Sequence, residues 1–346
     1  MKKFPRHPTL ADVAARAGVG KATVSRVING AYKVSPETLE RVNQVIRELG
    51  FQPSQAARSL KSVTTRTIGI VLPRIGDPFF AICAEAAQEV VRSRGYLLTM
   101  AATDYDPQTE IDQILTLFRH RVDGILLAPS NSLSKKLVAV IDQIHLPVVA
   151  FNHPLQHSPV PSVVCDNFRG AKEATGHLIE HCYKRILCLG GNSDLYSIRE
   201  RQQGYKDAMH DAGLVSNIEG APNDYAAVEE ALRAECSRKK APQAIFAVRN
   251  LITIYALQAL KRLGLRVPED IAVIGFDDFD LASMLTPAVS VVKQPVEAIG
   301  AQAAELLFRQ LQNDPRELSA GKSKVTKLRA NLVLRNSCGC HSPANP

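Results

Sequence analysis

Tryptophan is missing from this 346-residue chain, aromatics reach only 5%, and no apolar run is long enough to cross a bilayer, which excludes a helical membrane protein. The seven cysteines (Cys83, Cys165, Cys182, Cys188, Cys236, Cys338 and Cys340) are odd in number and lack any paired C-x-x-C spacing. A disulfide scaffold is thereby excluded, and a reducing, cytoplasmic setting is expected. The opening Met1–Pro8 carries charge with no apolar stretch behind it, so no export signal is expected. Phosphate-cradling G-x-x-x-x-G-K, G-x-G-x-x-G after the first strand and a G-x-S-x-G elbow are all absent, so no common enzyme signature is present. No repeat of solenoid length occurs either. What remains, at 45% hydrophobic and 22% charged residues, is an ordinary water-soluble composition sized for two or three domains.

What is present is a lopsided charge. The formal excess of +8 lies wholly in residues 1–66, with 12 Lys and Arg against 4 Asp and Glu; residues 67–346 are balanced at 30 each. A small basic head on a neutral body suggests a grip on a polyanion at one end, with nucleic acid the first candidate.

Thr9 is a helix N-cap with acidic Asp12 three residues on, and Leu10, Val13, Ala14 and Ala17 form an apolar stripe. Gly18-Val19-Gly20 breaks this helix. A second starts near Lys21, turning Val24, Val27 and Ile28 inward and leaving Lys21, Ala22, Ser25, Arg26 and Asn29 on other faces. Ser35-Pro36-Glu37 opens a third helix, with Leu39, Val42, Val45, Ile46 and Leu49 as its stripe and Gly50 as its stop. Two helices about a tight turn make a helix-turn-helix layout.

Thr9–Ala14, Ala17-Gly18-Val19, Thr23–Asn29 and Val34-Ser35 resemble the head of the lactose-repressor/galactose-repressor (LacI/GalR) family of bacterial transcription regulators. Gly20 departs from the family's usual Ser and costs little as a cap. The resemblance implies that the second helix enters the major groove with Lys21 and Ala22 foremost, Ala22 able to offer only an apolar contact to a thymine methyl. Arg26 would read guanine or hold phosphate, while Thr23, Ser25 and Asn29 would anchor phosphates, with Thr9 and Lys33 as further contacts. Lys21 reads equally as a solvated charge without base preference.

Residues 53–66 form a hinge. Pro53–Lys61 is a turn or two of helix too short to stand alone. By the resemblance it folds when two copies meet on the operator, Leu60 wedging into the minor groove and Ala57, Arg58 and Lys61 lying along the DNA.

From Thr67, β-branched runs alternate with amphipathic helices. Strands are expected at 68–72, 96–101, 124–128, 148–151, 163–165, 185–189, 244–247, 271–276 and 289–292. Helices are expected at 79–93, 107–119, 133–143, 168–182, 198–212, 225–237, 251–263 and 295–312. Such alternation means parallel sheets covered on both faces, and over 270 residues two lobes with a cleft.

Asp77–Phe80, Arg121–Ile125, Val164–Asn167, Gly204-Tyr205, Val267–Ile271 and Gly275–Asp278 resemble the family's effector domain, itself similar to periplasmic sugar-binding proteins. The implied cleft is lined by Phe79, Phe80, Asn152, Asp166, Arg201, Arg249, Asp277 and Gln294 as effector-binding residues. Aromatics would cover a sugar face while Asp and Arg pair with hydroxyls. Phe79 and Phe80 read also as helix-start packing, and Asp166 or Asp277 as caps of neighbouring helices. Arg249 stands where the family usually has Asn. An Arg at a helix start opposes the macrodipole, which an anionic effector or an internal carboxylate would offset.

His177 and His181, at i and i+4, read as a solvated helix face. Cys338-Gly339-Cys340-His341 supplies three soft ligands in a frayed tail that lacks a fourth ligand and a rigid frame, so no metal site is expected.

The expected fold class is therefore α/β: an all-α helix-turn-helix head, 1–52, and a two-lobed periplasmic-binding-protein-like body of doubly wound parallel sheets, 67–335. Lobe 1 is about 67–165 plus 295–320, lobe 2 about 166–290 plus 325–335, and 336–346 is a disordered tail. The expected function is a non-enzymatic, cofactor-free, cytoplasmic and nucleoid-associated repressor. Its partners would be a double-stranded DNA operator, a sugar or sugar-acid effector and a second copy of itself. A sugar-binding receptor and an α/β enzyme are the alternatives.

Overall fold

The computed structural model describes residues 8–28, 34–51, 64–190, 195–220, 224–312 and 325–340. The chain divides into two compact units, Met1–Thr65 and Arg66–Pro346.

In the first unit, α1 (Leu10–Ala17) begins at a capping box: the Thr9 hydroxyl oxygen accepts from the Asp12 N–H at 3.3 Å, and the Asp12 carboxylate accepts from the Thr9 N–H at 2.7 Å. Gly18, at φ 65°, ends it in the left-handed region. The Gly20 carbonyl then accepts from the N–H groups of Thr23 and Val24, opening α2 (Lys21–Ile28). α3 (Pro36–Leu49) starts from the Ser35 cap with Pro36 in its first turn. Val13, Val24 and Val42, one from each helix, are fully buried and join Phe51 in a small core.

The second unit holds two six-stranded sheets. The first runs β11-β5-β4-β3-β1-β2, all parallel: β1 (Thr67–Leu72), β2 (Leu97–Ala102), β3 (Gly124–Leu127), β4 (Val148–Phe151), β5 (Ser162–Cys165) and β11 (Val325–Leu328). Its strands alternate as a pleat requires. Ile68, Ile70 and Leu72 pack toward α4 (Pro78–Ser93) and α11 (Val296–Leu311); Val71 packs toward α5 (Pro107–Arg119) and α6 (Lys135–Ile144). The second sheet runs β12-β10-β9-β8-β6-β7: β6 (Ile186–Leu189), β7 (Asn217–Glu219), β8 (Ala244–Ala247), β9 (Ala272–Phe276), β10 (Ser290–Lys293) and β12 (Asn331–Val333), the last antiparallel to β10. α7 (Asn167–Glu180) and α8 (Tyr196–Asp211) cover one face, α9 (Tyr225–Cys236) and α10 (Asn250–Arg262) the other. The chain passes between lobes after β5, after β10 and after β11.

Three expectations need correction. Residues 325–328 belong to lobe 1, where Thr326 pairs with Val163; only 331–333 joins lobe 2. Strands β7, β11 and β12 were not foreseen, because each is short, lies at a sheet edge and lacks a continuous apolar run. The tail is ordered through Cys340: Ser337 and Cys338 are fully buried, and the Ser337 hydroxyl donates to the Val273 carbonyl at 2.6 Å while accepting from the Ser290 N–H at 2.8 Å. Those bonds bridge β9 and β10, which the polar composition of the tail could not announce. Residues 341–346 lie outside the described residues.

Candidate functional site

Both sheets of the second unit turn the carboxyl ends of their strands toward one cavity of about 360 Å³, the edge at which open parallel sheets expose loops and helix starts. Lobe 1 contributes the start of α4 after β1, Tyr105 after β2, and Asn152 and His153 after β4. Lobe 2 contributes Ser197 at the start of α8, Arg249 after β8, Asp277 after β9 and Gln294 after β10. Asn152 (φ 66°) and Asp277 (φ 72°) both occupy the left-handed region directly after a strand. Asn and Asp tolerate that conformation better than other side chains, so each strand can turn sharply into the cavity.

Arg201, on α8, is almost wholly buried and fully occupied. It forks onto Asp277 at 3.1 and 3.3 Å, donates to Asn167 Oδ1 at 2.8 Å and to the Val248 carbonyl at 2.7 Å, and lies 3.7 Å above the Phe276 ring. Burial lowers its pKa and the Asp277 carboxylate opposes that shift. The same carboxylate accepts from Gln294 Nε2. Gln294 Oε1 then remains a buried acceptor without a partner, a group that calls for a donor from water or ligand. Arg335 and Asp278 form a second bidentate pair at 3.1 and 3.0 Å.

Arg249 occupies the N-cap position of α10 and makes no side-chain cap bond. It lies half-buried on the cavity wall, close enough to Asp77 and Tyr105 to influence both. Among the described residues, no carboxylate comes within ion-pair distance of its guanidinium. Asp77 serves as N-cap of α4, accepting from the Phe79 N–H at 3.0 Å, and burial raises its pKa.

His153 joins the lobes. Its Nδ1 lies 3.1 Å from the Pro129 carbonyl and its Nε2 3.1 Å from Ser197 Oγ. A carbonyl can only accept, so Nδ1 carries the proton and Nε2 accepts from the serine hydroxyl. Burial pushes its pKa down to about 4.

Seven of the eight effector-binding candidates, Phe79, Phe80, Asn152, Arg201, Arg249, Asp277 and Gln294, line this cavity. Asp166 does not. It is the N-cap of α7, its carboxylate accepting from the Arg169 N–H at 3.3 Å. A carboxylate at a helix start is held there by the free N–H groups and the positive end of the dipole. Phe80 is largely buried and meets Phe79 edge-on at 5.2 Å, so Phe79 presents the more open ring. Tyr105, His153 and Ser197 were not foreseen. The strand-end rule would have found Tyr105 and His153, whereas Ser197 needed the two lobes side by side.

In the first unit, Lys21, Ala22 and Arg26 are exposed along α2, and Thr23 and Ser25 are half-buried. Thr9 is exposed but engaged in the capping box. Asn29, Lys33, Ala57, Arg58, Leu60 and Lys61 lie outside the described residues.

The family description "Bacterial regulatory proteins, lacI family" matches residues 9–54, and "Periplasmic binding proteins and sugar binding domain of LacI family" matches residues 65–329. The chain belongs to the LacI family. Among this regulator's relatives, the transcriptional repressor PurR of Aliivibrio fischeri is 32% identical, the match covering 95% of this chain and 98% of PurR. The ribose operon repressor of Halalkalibacterium halodurans is 32% identical over 89% of this chain and 91% of its own length. A lac repressor dimer bound to operator and the anti-inducer ONPF superposes with a TM-score of 0.85 at 22% identity, covering 96% of this chain and 99% of that one. This LacI-family protein is thus a DNA-binding transcriptional repressor with a sugar-binding-type body; its relatives are repressors, not enzymes. Among the described residues, no helix is long and apolar enough to cross a membrane.

Proposed function

We propose that this repressor binds a pseudo-palindromic operator as a homodimer, in the cytoplasm at the nucleoid, and that an anionic sugar derivative in the cleft controls it. The observation carrying the effector class is Arg249, a half-buried cation on the cavity wall with no carboxylate in ion-pair distance among the described residues. Of the carboxylates on the cavity wall, Asp277 and Asp278 are each tied to an arginine and Asp77 caps a helix, while Asp280 and Glu297 form no ion pair with Arg249 among the described residues; a ligand carboxylate or phosphate would partner that charge. Asn152 and Gln294, with its unpartnered Oε1, would meet hydroxyls, and the Phe79 ring would lie against an apolar sugar face.

The dimer reading draws on exposed apolar side chains. Leu97 and Met100 stand on edge strand β2, and Leu281, Met284 and Leu285 follow β9. Lys21, Ala22 and Arg26 on α2 would face the major groove, phosphate charge supplying much of the affinity. The hinge, with Leu60 as wedge and Arg58 and Lys61 along phosphates, would convert a change between the lobes into a change in DNA affinity.

Calorimetry with gluconate-like acids, sugar phosphates and neutral sugars tests the effector class. Anions are expected to bind more tightly and to lose about tenfold or more in Arg249→Ala, the order of one charge-assisted pair. Tighter binding of neutral sugars, unchanged in that variant, overturns it. Gel shifts in rising salt test the DNA reading: specific retention with a steep salt slope supports it, and equal retention of all duplexes rejects it.

A further inference from the structure

Away from the cleft, at the opposite end of α7, the ordered tail meets two histidines. His177 and His181 share one face of that helix, their rings 4.6 Å apart. Cys340 Sγ lies 3.3 Å from Nε2 of each. The donor atoms of His177, Cys338 and Cys340 all fall within 4.8 Å of one another; exposed His181 stands outside that set and is joined to it through Cys340. Both elements belong to the second lobe, one from its first helix and the other from beyond its last strand.

We propose that His177, His181, Cys338 and Cys340 form a tetrahedral site for Zn2+ that staples the tail to α7. Cys340 Sγ is equally close to both rings; without a cation its thiol can donate to only one Nε2, and the second contact needs the other ring to donate its Nε2–H to sulfur. A cation among all four donors satisfies each of them. Bond lengths of about 2.3 Å to sulfur and about 2.0 Å to nitrogen, at tetrahedral angles, place neighbouring S and N donors about 3.5 Å apart. The 3.3 Å contacts are close to that spacing. Two thiolates and two imidazoles suit a borderline-soft ion and not Mg2+ or Ca2+.

The frame is built as well. Cys338 is fully buried, and its sulfur accepts from the Ser290 hydroxyl at 3.1 Å, an outer partner of the kind that orients a metal ligand. The turn between the cysteines needs Gly339: its φ is 91°, and a Cβ there would come within 2.6 Å of the Tyr183 hydroxyl, which closes over the loop. Thus folding supplies the frame whose absence argued against a metal, and the fourth ligand would be His181, whose exposed ring has to close on the other three donors. Sequence spacing showed the C-x-C and the H-x-x-x-H separately, 157 residues apart from Cys338 back to His181, and only folding unites them. The site is remote from the cleft and independent of the effector assignment.

The full-length protein, prepared with reductant, is titrated with Co2+ and then with Zn2+. The expected result is one equivalent bound per chain, with a thiolate-to-cobalt charge-transfer band, tetrahedral d–d absorption and displacement by Zn2+. Cys340→Ser and His181→Ala should each weaken binding by more than about tenfold and abolish the metal-dependent rise in melting temperature. Cys182→Ser, at an exposed cysteine next to His181, should bind as the parent does. Retained operator binding in these variants shows that they fold. Absence of the charge-transfer band, unchanged binding in Cys340→Ser, or a Cys338–Cys340 disulfide persisting under reductant each overturns the proposal.

Discussion

His153 shows how one side chain carries information that its residue type does not. Fully enclosed between the Pro129 carbonyl and Ser197 Oγ, it is held neutral, its pKa pushed down to about 4. An unfolded histidine takes up its proton near pH 6.5. Between about 6.5 and 4 the unfolded chain therefore binds more protons than the folded one, and stability declines as the pH falls through that window. The decline should total roughly 3 kcal/mol, at about 1.4 kcal/mol per pKa unit. Urea unfolding of the parent and of His153→Gln, from pH 7 to pH 4, checks this: the variant should start less stable and show a shallower pH slope. Equal slopes would place the acid sensitivity elsewhere. Arg201 makes the complementary point, being a cavity-wall cation already satisfied by Asp277, Asn167 and Val248. It orders the lobe-2 wall, whereas Arg249 forms no ion pair with a carboxylate among the described residues.

Among the elements, two helix pairs are packed so closely that only glycine fits at the contact. A Cβ on Gly204 of α8 would lie 2.2 Å from the Phe168 carbonyl oxygen, and one on Gly300 of α11 would lie 2.1 Å from that of Cys83 on α4. Backbone cannot yield as a side chain can, so Gly204→Ala and Gly300→Ala should each cost about 1–3 kcal/mol or more. Gly176, on α7, has nothing within 4 Å of where its Cβ would stand. There alanine should stabilise by about 0.5–1 kcal/mol through helix propensity. Thermal melts of the three variants separate contact from propensity; three equal shifts would refute the distinction. The α7–α8 approach also matters for the site, because α7 begins at Asn167, the partner of Arg201.

Taken whole, the molecule has two compact units with separate cores. A ligand confined to the cleft stabilises only the unit that binds it, by about 2.7 kcal/mol at a hundred times its dissociation constant. Calorimetric scans with saturating effector should therefore raise the transition of residues 66–346 and leave that of the head in place. A parallel shift of both would show that the units unfold as one. Much of this organisation was legible beforehand. The charge excess of residues 1–66, the Gly18-Val19-Gly20 break and the strand–helix alternation depend on local pattern and composition, which the chain displays directly. Seven of the eight cleft residues named from the resemblance to the family's effector domain line the cavity, so that resemblance, carried by motifs in the sequence, made most of the cleft legible.

The amino-acid order alone determined the helix caps at Thr9 and Ser35, the inward faces of the helices and the two-sheet architecture, because each follows from periodicity and local hydrogen bonding. Tertiary structure decided what distance along the chain conceals. It set the exchange of residues 325–328 into the first sheet and the latch from His153 to Ser197. It also brought two cysteines beside two histidines at the foot of α7. All three depend on segments remote in sequence meeting in space, and no local preference encodes such a meeting.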